Sequence, residues 1–352
     1  MTLSRRHVLA AAGVATIAAP AVARGATTRR WRCVTSWSRN MPGPGTTARR
    51  LAERITQLSQ GELTVEVFAA GEIVPALQVF DTVSTGTVEM AHTAALFWGG
   101  KMPAAPLFTT FPFGLTPAGH MSWLDGGGQE LWDELYAAHK VKALVAGNTG
   151  PSVAGWFRRE IRTLADLKGL RIRATGVGGE VYSALGATAM AIAPSDTYAA
   201  LERGVIDAVE LLAPANDVPA GLHRVAPHCI LPGFNKPNGA SELLIGAALW
   251  RDLPDYLKAI VTAACRAEHD MALAESEIAN ARALAQLVQL RVNLGWLGED
   301  VLVAARSAAD SVLQRIAASA PLARRIVDSA VVHRQLTGPW SRTVARAQAQ
   351  TA

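Results

Sequence analysis

The sequence predicts an α/β protein of two lobes that face each other across a cleft, braced by one long helix and extended by a helical C-terminus. Three observations carry this. Residues 31–92 alternate strand and helix signals in the order β-α-β-α-β, the pattern of a parallel sheet with crossover helices. A second series of strand–helix units begins after Gly147. Residues 255–290 then contain neither Gly nor Pro, and their apolar residues recur at helical spacing. At about 1.5 Å per residue that run reaches roughly 50 Å, more than one domain needs.

The elements follow in order. Residues 31–37 read as a strand, and 46–59 have helical spacing through Leu51, Ile55 and Leu58 until Gly61 stops them. Residues 63–68 alternate as a strand. Ala70-Gly71-Glu72 turns into a helix reaching Ser84, and 88–92 is the third strand. Residues 99–119, rich in Pro, Gly and aromatics, read as a packed irregular segment. A helix over 130–138 and a strand over 141–146 close the first series.

In the second series, 170–174 alternates Leu and Ile with Arg171 and Arg173. Gly176, Gly178 and Gly179 are expected to form a turn before a helix from Glu180. Strands are expected at 188–192, 206–210 and 229–232, with a helix from the cap Ser195-Asp196 to Arg203 and a loop at 214–217. Residues 243–246 and 291–297 read as further strands, and 299–318 and 321–350 as helices. The domain reading is therefore lobe I from 29–149 and 239–270, and lobe II from 150–238 and 285–320. The helix 254–290 spans both, and 321–350 forms a C-terminal helix with little apolar face of its own.

Of 352 residues, 50% are hydrophobic and 18% charged, which excludes a disordered chain. Residues 1–23 carry Ser4-Arg5-Arg6-His7, an Ala-rich apolar run and Ala21-Val22-Ala23. These are the parts of a twin-arginine signal peptide, and they predict export of a folded protein to the periplasm. The apolar run is too short and too Ala-rich for a membrane span. Its removal takes Arg5 and Arg6 and no acid, so the formal charge falls from +5 to +3. That excess is no nucleic-acid footprint. The cysteines Cys33, Cys229 and Cys265 are distant and lack a C-x-x-C, so buried free thiols are expected rather than zinc or redox chemistry.

Enzyme signatures are absent: no G-x-S-x-G, no H-E-x-x-H and no Walker loop. Gly176-Val177-Gly178-Gly179 lacks dinucleotide spacing, and His223 and His228 have no third metal ligand nearby. No organic cofactor is expected. Arg173 stands out differently. A strand-end arginine before a glycine turn and a helix start can hold a carboxylate through two parallel donors. It also fits an ordinary surface position on a half-exposed strand.

The order of several segments resembles a known family. Ala69-Ala70-Gly71-Glu72-Ile73-Val74-Pro75, Thr85-Gly86-Thr87-Val88-Glu89-Met90, Phe111-Pro112-Phe113-Gly114, residues 164–173 and Gly204-Val205-Ile206-Asp207-Ala208 are similar to the solute receptors of tripartite ATP-independent periplasmic (TRAP) transporters. The likeness covers residues 31–340. Gly147-Asn148-Thr149-Gly150, Gly155-Trp156-Phe157-Arg158-Arg159-Glu160 and Pro232-Gly233-Phe234 place it nearest the subgroup that binds 2-oxo monocarboxylates such as pyruvate.

The resemblance implies a type II periplasmic-binding-protein fold and ligand capture without turnover. It implies that Arg173 binds the carboxylate, with Asn148, Ser152 and Phe234 in the ligand site. It implies a cation, sodium or calcium, bridging ligand and protein through the carboxylate of Glu210 and the backbone carbonyl of Leu211. The subgroup places a glutamine near Ser152 and tryptophans at Leu211 and Ala215, and this chain departs at all three. The implied partners are a small carboxylate, the membrane subunits of a TRAP transporter and a second copy of the chain, paired through 321–350. A receptor of the same fold serving a membrane signalling partner, or another carboxylate class, is the alternative.

Overall fold

A computed structural model describes residues 28–351. The signal peptide expected at 1–23 lies outside the described residues. Two sheets make up two lobes. The first has the order β2-β1-β3-β10-β4, formed by β1 (Arg29–Thr35), β2 (Leu63–Phe68), β3 (Met90–Thr93), β4 (Val141–Asn148) and β10 (Ala240–Gly246). The second has the order β11-β9-β5-β8-β6-β7. Its strands are β5 (Gly155–Phe157), β6 (Arg171–Arg173), β7 (Thr188–Met190), β8 (Ala208–Val209), β9 (His228–Ile230) and β11 (Asn293–Gly295).

Each sheet is mixed. β1 runs parallel to β2 and β3, while β10 is antiparallel to β3 and β4. In the second sheet β6 is parallel to β7 and β8, and β5 is antiparallel to β8 and β9. The antiparallel strands are where the chain changes lobes. It leaves the first sheet after β4, enters the second at β5 and returns between β9 and β10.

The third crossing is the helix Asp255–Gln289, 35 residues long. Leu257, Val261, Ala264 and Cys265 bury its first half in the core of the first lobe, with Leu144 and Leu243. Ala283 and Leu287 bury its last turns in the second, with Trp156 and Leu222. Glu268 is fully buried at mid-helix and takes Arg50 in a bidentate pair, Nε donating to Oε2 at 3.0 Å and Nη2 to Oε1 at 2.5 Å. Such a pair satisfies a charge that burial alone would not tolerate. All three cysteines are free and buried.

Three local expectations need correction. Gly176, Gly178 and Gly179 form the first turn of the helix Gly176–Ala184 rather than a turn before it. They are glycines because that turn is pressed against its neighbours: a Cβ at Gly179 would lie 2.9 Å from the Ala174 carbonyl oxygen. Residues Pro214–Asp217 form a short helix with Pro at its start, not a loop. The first half of the terminal helix Pro321–Thr351 has an apolar face after all: Ala323, Ile326, Val327 and Ala330 are buried in the chain's own core. No helix among the described residues is long and apolar enough to cross a membrane.

Candidate functional site

The carboxyl ends of β6 and β8 face the first lobe, which is where α/β sheets present ligand sites. Arg173 pairs with Val209 in the parallel register, so Glu210 follows one residue beyond. The Glu210 N–H donates to the Arg173 carbonyl at 2.8 Å. Arg173 returns the bond, its Nη1 donating to the Glu210 carbonyl at 2.6 Å while its Nε donates to the Ile192 carbonyl at 3.1 Å. The guanidinium is held on two sides, and no hydrogen bond to the protein engages Nη2 among the described residues. Arg173 is 2% exposed. Burial pushes its pKa below the ordinary arginine value, opposed by Glu210 and Asp217.

A second cation sits beside it. Lys236 lies in the connection from β9 to β10, which is tied to the chain at both lobes. The Ser152 N–H donates to the Lys236 carbonyl at 2.9 Å, and the Gly233 N–H to the Ser152 carbonyl at 2.8 Å. Gly233 permits this approach, since a Cβ there would lie 2.6 Å from the Val153 carbonyl oxygen. From the first lobe, the Thr109 carbonyl accepts Asn238 Nδ2 at 2.9 Å. The loop delivers the Lys236 ammonium onto the Leu211 carbonyl at 2.6 Å and into an ion pair with the Glu210 carboxylate. The Lys236 side chain is 5% exposed and that of Glu210 1%.

Arg173, Lys236 and Leu211 meet Trp37, Leu96 and Phe97 of the first lobe around a small cleft. The lobes are in contact around it. Asn216 Nδ2 donates to the Pro42 carbonyl at 2.7 Å, and the Phe113 N–H donates to the Phe234 carbonyl at 2.8 Å. Leu96 abuts Gly176, which has positive φ and no Cβ to obstruct it. Thr109, Thr149, Thr175 and Ser241 also line the cleft, and the Thr109 and Thr175 hydroxyls accept or donate no hydrogen bond among the described residues. Two buried cations, free hydroxyls and an apolar wall can hold a small anion with an apolar tail.

The six residues named from sequence fall into two groups. Arg173, Glu210 and Leu211 converge on one point. Asn148, Ser152 and Phe234 are buried nearby but do not line the cleft. Asn148 is spent on the chain itself, Nδ2 donating to Asn238 Oδ1 at 2.7 Å and Oδ1 accepting the Gly150 N–H at 2.8 Å. The Ser152 hydroxyl donates to the Val153 carbonyl at 3.0 Å. Phe234 stacks on Phe113 with centroids 5.3 Å apart.

Lys236 escaped the sequence reading because Asn235-Lys236-Pro237-Asn238 looks like a solvated turn. Asp217 escaped it too. It is fully buried behind Glu210, accepts Trp156 Nε1 at 2.8 Å and the Leu212 N–H at 3.2 Å, and burial pushes its carboxyl up to about 7.

Comparison with known proteins decides the family. Residues 34–320 match the model of bacterial extracellular solute-binding protein, family 7. The chain belongs to that family. Family 7 proteins are solute-binding receptors, and this member is a TRAP solute-binding protein whose fold is that of its solved relatives.

It is 33% identical to a monocarboxylate 2-oxoacid-binding periplasmic protein of Nostoc sp. (strain PCC 7120), over 97% of this chain and 96% of the other. A TRAP periplasmic solute-binding protein of Pseudoalteromonas atlantica, solved with bound sodium and pyruvate, superposes with a TM-score of 0.89 at 32% identity. That match covers 92% of this chain and 99% of the other. A TRAP solute-binding protein of Bordetella bronchiseptica gives 0.89 at 32% identity over 92% and 97%. It was solved as a mixed-occupancy dimer with calcium and picolinate in one site and the other site apo. Relatives of this TRAP protein thus hold sodium or calcium together with their ligand.

Proposed function

We propose that this protein captures a small 2-oxo or 2-hydroxy monocarboxylate in the periplasm and delivers it to the membrane subunits of a TRAP transporter, without turning it over. The observation that carries this is the Arg173 guanidinium. Two carbonyls anchor it, and its remaining edge belongs to a cleft shared by both lobes. Fixing the guanidinium in advance removes part of the ordering cost of binding. The pyruvate-bound and 2-oxoacid-binding relatives set the ligand class.

Leu211 lines the cleft where the subgroup pattern has tryptophan, and an aromatic side chain buries about 150–250 Å². The ligand therefore carries a longer apolar tail than pyruvate. Asn148, Ser152 and Phe234 act from behind, shaping the backbone around the site rather than touching the acid. Export through the twin-arginine signal, with cleavage after Ala23, puts the receptor in the periplasm.

The receptor works as a homodimer paired through the terminal helix. Val332, Leu336 and Trp340 repeat every four residues and are 61%, 75% and 72% exposed, an apolar stripe along one face. The Bordetella bronchiseptica relative is a dimer. Calorimetric titration of the mature protein with pyruvate, 2-oxobutanoate, 4-methyl-2-oxopentanoate and their 2-hydroxy counterparts tests the ligand class. Tightest binding by a branched or longer member supports the reading. Tightest binding by pyruvate, by a dicarboxylate or by an uncharged sugar defeats it.

A further inference from the structure

We propose that the Lys236 ammonium stands in for the metal cation of this family, so that this receptor binds its acid without sodium or calcium. The two groups that would ligate a metal here are the Glu210 carboxylate and the Leu211 carbonyl. One nitrogen already faces both: Lys236 Nζ donates to the Leu211 carbonyl at 2.6 Å and forms an ion pair with one carboxylate oxygen of Glu210, Oε1, which accepts no hydrogen bond among the described residues. A metal ion on the same two oxygens would lie within a few ångström of a buried positive charge, where repulsion is strong. The remaining donor set is poor as well. Hard cations take six or more oxygens, and the Ser152 hydroxyl is committed to the Val153 carbonyl. The residues present therefore do not fit a metal ion at this point.

An ammonium can perform the bridging role. It is compact, carries one positive charge and has three donors. One of those donors engages the Leu211 carbonyl, the charge pairs with Glu210, and Lys236 lines the cleft. An acid with its carboxylate on Arg173 would turn its 2-oxo or 2-hydroxyl oxygen toward Lys236. Glu210 and Leu211 hold the ammonium in place, and the backbone bonds to Ser152 hold its loop. The inference rests on the monocarboxylate reading for its ligand, but its metal arm does not.

The test uses the mature wild-type protein and Lys236→Gln, which removes the charge and exposes Glu210 and Leu211 beside an amide oxygen. Both are stripped with chelator in sodium-free buffer and titrated with 4-methyl-2-oxopentanoate and pyruvate. Their thermal unfolding is also followed with calcium alone and with sodium alone. The wild type should keep its affinity within about twofold whether chelator, calcium or sodium is present, and neither ion should shift its melting temperature. The stripped Lys236→Gln should bind about 30-fold or more weakly, because one partner of a buried charged contact is gone. Calcium or sodium should restore part of that loss and raise the variant's melting temperature. Lysine with a merely structural role would not yield this rescue by ions.

A wild type that loses affinity about tenfold or more in chelator, or that calcium alone stabilises, overturns the inference. If no acid binds the folded wild type under any condition, the monocarboxylate reading fails. The metal arm still decides the role of Lys236 in that case, because it needs no acid.

Discussion

Arg173 and Glu210 clasp each other across two parallel strands: the Glu210 N–H donates to the Arg173 carbonyl, and Arg173 Nη1 donates back to the Glu210 carbonyl. The exchange fixes the guanidinium through backbone rather than through a carboxylate, so its charge is left for a ligand. Arg173→Ala should weaken carboxylate binding by about 2–5 kcal/mol, roughly 30-fold or more, because it strips one partner from a desolvated charged contact. Arg173→Lys should also bind poorly, since an ammonium cannot make the two-pronged contact. Calorimetry of both variants, with circular dichroism to confirm folding, checks this. Affinity within a few-fold of wild type in either variant would remove Arg173 from the site.

Closure should depend on Asn216. Its Nδ2 reaches the Pro42 carbonyl at 2.7 Å across the cleft, next to Gly43. Asn216→Ala removes about 1 kcal/mol of net hydrogen bonding present only when the lobes meet. Apparent affinity should fall about fivefold, mainly through faster dissociation measured by stopped flow. Unchanged dissociation would show that this contact does not latch the lobes.

Stability should fall as the pH rises toward 8, through Glu242. This carboxyl is fully buried in β10, accepting Trp98 Nε1 at 2.7 Å and the Tyr136 hydroxyl at 3.1 Å, and burial pushes it up from 4.5 to about 8. Its folded pKa exceeds its unfolded one, so the native state binds more protons between pH 4.5 and 8, and this contribution is lost as pH rises through that window. Glu242→Gln should remove it. In urea unfolding, the stability of Glu242→Gln relative to wild type should be greater at pH 8.5 than at pH 5. Equal differences at both values would contradict the buried-proton account.

The terminal helix divides into a buried first half and an exposed second half. Ile326, Val327 and Ala330 pack on the chain's own core, whereas Val332, Leu336 and Trp340 are exposed. Leu336→Asp with Trp340→Asp should convert the dimer to a monomer in light scattering and leave the melting temperature of the fold within a few degrees. Truncation after Ala320 would also uncover the first half's core contacts and destabilise the chain. A full-length protein that is already monomeric in light scattering refutes the pairing.

Much of this architecture was legible in the sequence, because period and punctuation set it. The helix Glu299–Ala318 and the strand Leu63–Phe68 have the bounds that their patterns predict. The Gly-free and Pro-free run became the bracing helix. The glycines at 176–179 misled, because glycine marks close approach as readily as a turn, and close packing against Ala174 is a tertiary fact.

At the site, Arg173 was legible as a strand-end arginine, whereas Glu210 and Leu211 were named through the family resemblance, and the fold brings the three together. Lys236 was not. A lysine between Asn and Pro looks like a solvated turn, and only the crossing back to the first lobe drives it inward onto Glu210. Asn148 and Ser152 show the converse: polar residues close to the site whose hydrogen bonds all serve the chain.

The most direct test is a ligand-bound crystal structure of the mature protein with the tightest-binding 2-oxo acid, grown in calcium and sodium. The account predicts the carboxylate on Arg173 Nη2, the 2-oxygen on the Lys236 ammonium and no metal between Glu210 and the ligand. An acid bound away from Arg173, or a metal ion on Glu210 and Leu211 with Lys236 turned out of the cleft, would contradict it.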